Sequence, residues 1–287
     1  MMQFINHAFT INLRGKLLDV TVPKIMGIIN ITPDSFFSES RSIEANQICH
    51  RVASMIESGM DILDVGACST RPGIEQVSEQ EELARLRMAM EVIRNKWPDL
   101  PVSIDTYRAS VASEMVQSFK ADMINDISGG SLDEKMFETI ARLQVPYVLS
   151  HIQGNPTTMQ LNPGYEDITT DICQYFSQKM AELLRLGVND IVLDPGFGFG
   201  KTLQHNYQLL KGMDELTILN RPMLIGISRK SMIYKFLNID PEQSLNGTTV
   251  LHTMALMGGA SILRVHDVKE AKEAILLYEN LKNCSAC

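Results

Sequence analysis

The stretch Lys24-Ile25-Met26-Gly27-Ile28-Ile29-Asn30 stays apolar through its middle and stops at a side-chain amide. A strand with one wet face would alternate polar and apolar residues. This one does not, so it reads as a strand covered on both faces, as in parallel sheets. Seven more runs share that character: residues 61–66 (DILDVG), 101–105 (PVSID), 121–126 (ADMIND), 145–150 (VPYVLS), 190–194 (DIVLD), 222–227 (PMLIGI) and 260–265 (ASILRV). Segments of helical period lie between them, among them 43–58, 78–96, 108–120, 166–186 and 268–283. Eight strands alternating with helices predict an α/β fold, the (β/α)8 TIM barrel. An open doubly wound sheet is the alternative, because alternation does not by itself show closure. The count of eight, and the lack of Gly-x-Gly-x-x-Gly after the first strand, favour the barrel. A short β-hairpin is expected ahead of it, over about residues 3–22, turning at Arg14-Gly15-Lys16. Nothing resembling a linker or repeat interrupts the pattern, so residues 1–287 read as one domain.

The 287 residues are 45% hydrophobic and 21% charged, which supplies a large core and excludes disorder, collagen and coiled coil. A net charge of −8 argues against a general nucleic-acid binder, since phosphate backbones are held by clustered Lys and Arg. An anionic ligand would need a locally basic site. Five scattered cysteines form no disulfide framework, and Cys284-Ser285-Ala286-Cys287 has no partner pair, so a frayed tail in a reducing cytoplasm is expected. With no cleavable leader and no run of about 20 apolar residues, the chain reads as neither secreted nor membrane-embedded.

Polar residues gather where the runs end: Asn30, the stretch Ser69-Thr70-Arg71-Pro72-Gly73, Asp105, Asn125 with Asp126, His151, Asp194, Lys230, and Arg264 with His266. Any one of them could cap a helix or close a turn. Capping does not, however, require Arg71, Lys230, Arg264 and His266 to share a rim with Asp105 and Asp194. In a barrel all these positions converge on the C-terminal face, where ligands bind. Cations beside carboxylates suit a ligand with an anionic arm and a separate hydrogen-bonding part.

Gly200-Lys201-Thr202 follows a strand like a phosphate loop, but the pattern needs glycine at Pro195. The glycines there read instead as letting the backbone pass close to a flat ligand beside Asp194. Met88, Trp97 and Phe119 read as packing. His50, His205 and His252 lack the spacing of zinc ligands.

Taken in order, Asn30-Ile31-Thr32-Pro33-Asp34-Ser35-Phe36, Ser69 to Gly73, Ser103-Ile104-Asp105-Thr106, Ile124-Asn125-Asp126-Ile127, His151 to Pro156, Asp194 to Lys201, Ser228-Arg229-Lys230-Ser231 and Arg264-Val265-His266-Asp267 closely resemble the dihydropteroate synthase family. The resemblance implies a usually dimeric TIM barrel in folate biosynthesis. Its reaction joins 6-hydroxymethyl-7,8-dihydropterin diphosphate to 4-aminobenzoate and releases pyrophosphate with magnesium. It assigns Asp105, Asn125, Asp194 and Lys230 to the pterin, Arg264 and His266 to the diphosphate, and Asn30 to Mg²⁺. Thr70, Pro72 and Ser231 would border the aminobenzoate, with Arg71 on the same rim and Phe36 closing over it. Asp105, Lys230, Arg264 and His266 would carry the catalysis, and sulfonamides would compete with aminobenzoate.

The chemistry of these groups agrees. A pterin edge offers donors and acceptors that Asp194, Asn125 and Lys230 match, and a diphosphate suits Arg264, a protonated His266 and a cation held by one protein oxygen. Residues 32–41 and 67–76 would act as lids. Departures from the family cluster there: Phe37-Ser38-Glu39-Ser40 replaces Ser-Asp-Gly-Gly, and Ala67-Cys68 replaces Gly-Glu. Ser150 stands where a Met commonly precedes His151. Two alternatives stay open, a methyltetrahydrofolate:corrinoid methyltransferase and a catalytically silent pterin binder.

Overall fold

The computed structural model describes residues 5, 8–31, 38–67, 77–154, 159 and 163–284, with backbone alone for 38–44. Strands β1 (Thr10–Leu13) and β2 (Lys16–Asp19) form the expected antiparallel hairpin. The turn between them holds Arg14 and Gly15 at positive φ.

Eight parallel strands follow: β3 (Lys24–Asn30), β4 (Ile62–Gly66), β5 (Val102–Asp105), β6 (Met123–Asp126), β7 (Tyr147–Ser150), β8 (Ile191–Asp194), β9 (Leu224–Ile225) and β10 (Ile262–Val265). They pair in the order β8-β7-β6-β5-β4-β3-β10-β9. A parallel bridge between Leu193 and Met223 joins the two ends. There the Leu193 N–H donates to the Pro222 carbonyl at 2.9 Å, so the sheet is a nearly closed barrel. The open-sheet alternative is set aside. Strand β9 covers only Leu224–Ile225 of the expected 222–227, and beyond it the chain turns, the Lys230 N–H donating to the Ile227 carbonyl at 3.0 Å.

The helices are α1 (Ser38–Glu57), α2 (Glu79–Lys96), α3 (Ala109–Phe119), α4 (Met136–Leu143), α5 (Ile168–Arg185), α6 (Leu203–Lys211), α7 (Ser231–Leu237), α8 (Leu245–Met257) and α9 (Val268–Asn283). Helix α2 shows why they start where they do. Ser78 caps it by accepting from the Glu81 N–H, and acidic residues fill its first turn while Arg94 and Lys96 occupy its last. Helix α1 begins at Ser38, so the end of the expected first lid is helical backbone. The missing glycines explain this, since Ser38-Glu39-Ser40-Arg41 carries no residue that breaks a helix.

Two apolar cores result. The larger lies between strands and helices and takes in Met88, Trp97 and Phe119 at its edge. The smaller fills the lower barrel: Met26, Ile62, Met123, Val148, Val192, Leu224 and Ile262 meet Ile11, Leu13 and Val20 of the hairpin region. The hairpin therefore plugs the N-terminal mouth and leaves the opposite mouth for chemistry.

Candidate active site

Side chains on a strand alternate between the two faces, so positions two residues beyond the lower apolar layer also point into the barrel. Those positions are Asp64, Asn125, Ser150, Asp194, Gly226 and Arg264, with Ser103 level with Asp64 across the β4–β5 pair. The lumen thus changes from apolar to polar within one step on most strands, while β3 keeps Ile28 and Gly226 follows β9 at that level. One step further on lie Asn30, Gly66, Asp105, Ser228 and His266, and the ladder places Asn30 beside Gly66, Gly66 beside Asp105, and Asp105 beside Asn125.

Arg264 is the hub of this layer. Its Nε donates to Asp64 Oδ2 at 2.7 Å, and its Nη2 lies 2.6 Å from the same oxygen and 2.7 Å from Asp105 Oδ2. The two N–H groups on Nη1 have no partner among the described residues. They are the part of the guanidinium left for a ligand. Burial raises the Asp105 carboxyl to about 7; Arg264 pulls it down, and the nearby Asp64, Glu82 and Asp126 carboxylates push it up.

Lys230 donates to the Phe197 carbonyl and stands 4.5 Å from the centre of the Phe199 ring. Burial lowers its ammonium to about 8, against the pull of Asp194 and Asp105. Asp194 is raised by burial and accepts from the Gly196 N–H at 2.8 Å. Ser231, the first residue of α7, is half-buried next to Lys230.

His266 corrects the expectation of a protonated imidazole. Burial, then Arg264, lowers it to about 4, so the ring is neutral near pH 7. Ser228 Oγ accepts from the His266 backbone N–H at 3.2 Å and lies 3.1 Å from Nδ1. Ser228 thereby holds the orientation of the neutral ring through Nδ1. Arg229, at positive φ, ties these lips together through two 2.8 Å bonds to the Asp267 carboxylate.

The Asp194–Lys201 loop departs from expectation. Lys201 is buried, donating to the Gly196 carbonyl at 2.9 Å and the Phe199 carbonyl at 3.1 Å, with His151 Nδ1 at 2.9 Å. Burial, then Lys201, drives His151 to about 2, so His151 braces this loop as a neutral acceptor. Gly196, at φ +71°, exists for contact with protein: a Cβ there would lie 1.9 Å from the His151 carbonyl. Asp126 is likewise structural, bonding the Tyr147 hydroxyl at 2.6 Å and the N–H groups of Ser128 and Gly130 at 2.7 and 2.9 Å.

Seven buried side-chain atoms among the described residues lack a hydrogen-bond partner. Four of them belong to the inward layer: Asp64 Oδ1, Ser103 Oγ, Asn125 Oδ1 and Ser150 Oγ. Buried polar groups ordinarily find partners, so a cluster of this kind marks where a polar ligand fits. Sequence reasoning assigned no role to Asp64, Ser103 or Ser228, because it looked at strand ends. A charge in mid-strand, two residues before Gly66, was the available signal. Phe36, Thr70, Arg71 and Pro72 lie outside the described residues, as do 32–37 and 68–76 of the expected lids.

Asn30 is exposed at the end of β3. A Cβ on Gly66 would stand 3.2 Å from Asn30 Oδ1 and 3.7 Å from Asp105 Oδ2. The glycine thus keeps a gap between two hard oxygen donors, which suits Mg²⁺ held by few protein ligands. Among the described residues no group of three or more His, Cys, Asp or Glu forms a metal cluster.

A barrel whose C-terminal mouth holds acids, an amide and cations around unsatisfied buried atoms is an enzyme for a flat, hydrogen-bonding ligand with an anionic arm. The family model described as "Pterin binding enzyme" matches residues 26–266. A dihydropteroate synthase of Haemophilus influenzae is 40% identical over 272 residues, covering 94% of this chain and 98% of that one. One from Escherichia coli K12 is 41% identical over 269 residues, covering 93% and 94%. The Yersinia pestis dihydropteroate synthase, solved with a sulfonamide drug complex, superposes with a TM-score of 0.89 at 40% identity, covering 96% of this chain and all (100%) of that one. The Xanthomonas albilineans enzyme with 4-aminobenzoic acid gives 0.88 at 31% identity, covering 97% and 100%. The chain belongs to the dihydropteroate synthase family of pterin-binding enzymes.

Proposed function

We propose that this mouth joins 6-hydroxymethyl-7,8-dihydropterin diphosphate to 4-aminobenzoate, giving 7,8-dihydropteroate and pyrophosphate. The inward layer carries the reading, because its unpaired buried donors and acceptors are those that a pterin edge complements. Asp194, Asn125 and Lys230 hold the ring, and Arg264 Nη1 and His266 take the diphosphate. The methylene C–O bond breaks, with its electron pair leaving on pyrophosphate. The electron-rich ring spreads the positive charge that remains, and Asp105 and Asp194 stabilise it. The aromatic amine then forms the new C–N bond and gives up a proton. Being already unprotonated near neutral pH, it needs exclusion of water more than a strong base. Asn30 would hold Mg²⁺, which when bound neutralises charge on the departing diphosphate. Thr70, Pro72 and Ser231 would border the aminobenzoate, with Arg71 and Phe36 closing the rim.

The charges set a pH dependence for kcat/KM of the pterin substrate. Asp105 is ionised above about 7 and Lys230 is protonated below about 8, so the profile is expected to rise to a narrow maximum between those values and fall on both sides. Asp105→Asn should remove the acidic limb of whatever activity survives. A flat profile from pH 6 to 9 would refute these roles.

The chain is further proposed to act as a homodimer in the cytoplasm. Val250 and Met254 on α8 are 46% and 51% exposed, beside exposed Phe236 and Leu237 on α7 and Leu277 and Leu281 on α9. Such an apolar face suits a second copy. Met254→Glu is expected to shift the mass measured by light scattering from dimer toward monomer; an unchanged mass would remove this face from the interface. Cys49, Cys173 and Cys284 are free thiols, and among the described residues no helix is long and apolar enough to cross a membrane.

A further inference from the structure

We propose that Asp64 is a positioning residue that fixes which way the Asn125 amide faces, and thereby sets the hydrogen-bonding sense of the pterin pocket. The inference rests on the assignment of Asn125 to the pterin.

Asp64 lies in mid-strand on β4 with no exposed surface. A carboxylate placed there needs partners, and it has two kinds. Arg264 balances its charge at 2.7 Å, and Asn125 Nδ2 donates to the same Oδ2 at 3.2 Å. Its Oδ2, which also takes the Arg264 donors, accepts there, so the group that Asn125 turns toward Asp64 is its NH₂. The amide oxygen is left on the other side. That oxygen is buried and unpaired among the described residues, and Asn125 itself is 2% exposed.

An acceptor held in this way selects an N–H on the ligand and rejects a lone pair. A pterin edge carries ring nitrogens with lone pairs next to N–H groups, so a reversed amide would oppose donor to donor. Without an obligate acceptor at position 64, both amide orientations become comparable in energy. Asp64 therefore acts through Asn125 without touching the substrate, and through Arg264 it ties the pterin-reading amide to the diphosphate-binding cation.

The test is calorimetric titration with 6-hydroxymethyl-7,8-dihydropterin, which carries no diphosphate and so isolates the amide from the phosphate contacts of Arg264. Asp64→Leu keeps roughly the side-chain size and removes the acceptor that faces Asn125. It is expected to weaken binding about 10- to 100-fold, the range that a mispaired buried polar group costs. Asp64→Asn is the contrast: the Arg264 donors that meet the same oxygen position keep its amide oxygen there, so it still accepts from Asn125 and should bind within about threefold of the parent. KM for 4-aminobenzoate should change less than threefold in Asp64→Asn.

Binding by Asp64→Leu within twofold of the parent, or Asp64→Asn no better than Asp64→Leu, would overturn the proposal. If Asp64→Leu does not fold, Asp64→Asn decides alone: near-parental binding supports the positioning role, and a loss above tenfold refutes it. Asn125→Ala separates the two levels. Unchanged pterin binding there would sink the assignment of Asn125 itself, whereas a loss there beside an intact Asp64→Leu would sink only the role of Asp64.

Discussion

Arg264→Ala is expected to lower kcat/KM by about 10²–10³-fold or more and to destabilise the fold by about 3–5 kcal/mol. Read from sequence, the arginine serves only the diphosphate, and its loss should spare binding of dihydropteroate. The geometry adds a second cost. Arg264 sits between Asp64 and Asp105, its side chain 18% exposed and that of Asp64 fully covered. Truncation leaves a buried carboxylate with no cation, and Asp105 loses the neighbour that opposes its upward shift. Asp105 would then be protonated at neutral pH and could no longer stabilise positive charge. Arg264→Lys keeps a charge but loses the fork that spans both carboxylates, so it should recover stability better than rate. Urea unfolding beside steady-state kinetics measures both. Full activity loss with unchanged stability would show that Arg264 does not bridge the two acids.

Gly196→Ala is expected to be nearly as damaging although it removes nothing. A left-handed backbone costs an alanine about 1–2 kcal/mol, and overpacking adds about 1–3 kcal/mol. Here the new methyl would stand 1.9 Å from a backbone oxygen that cannot swing aside. The loop has to move, and with it the Gly196 N–H that Asp194 accepts and the Phe197 carbonyl that receives Lys230. Pterin affinity should fall about 10-fold or more, together with a lower melting temperature. Gly187→Ala is the control: it also sits at positive φ, but its Cβ would meet nothing within 4 Å and it lies far from the mouth in the chain. If the two variants behaved alike, steric contact with His151 would not be the cause.

The barrel was legible because buried parallel strands must be apolar on both faces, and β3 and α9 have the bounds that periodicity drew. The rim was legible for a related reason: Asp105, Asn125, Asp194 and Arg264 are polar at the ends of such runs, where a core strand has no use for them. Asp64 escaped because one charge inside an apolar run looks like noise until the inward face is known. The neutrality of His266 and the inward turn of Lys201 escaped because both depend on burial and on partners far away in the chain, which spacing does not carry. The Gly-Lys-Thr sequence at 200–202 shows the converse. It resembles a phosphate loop, yet Lys201 spends its donors on backbone carbonyls and Thr202 caps α6.

On this reading one polar mouth binds the pterin diphosphate and turns it over with an aromatic amine. Pyrophosphate release from 6-hydroxymethyl-7,8-dihydropterin diphosphate, measured with Mg²⁺ in the presence and absence of 4-aminobenzoate, decides whether it does. Release that depends on aminobenzoate, matches dihydropteroate formed mole for mole and is competed by a sulfonamide is the expected result. Normal pterin binding without aminobenzoate-dependent release would leave a silent pterin-binding barrel and no synthase.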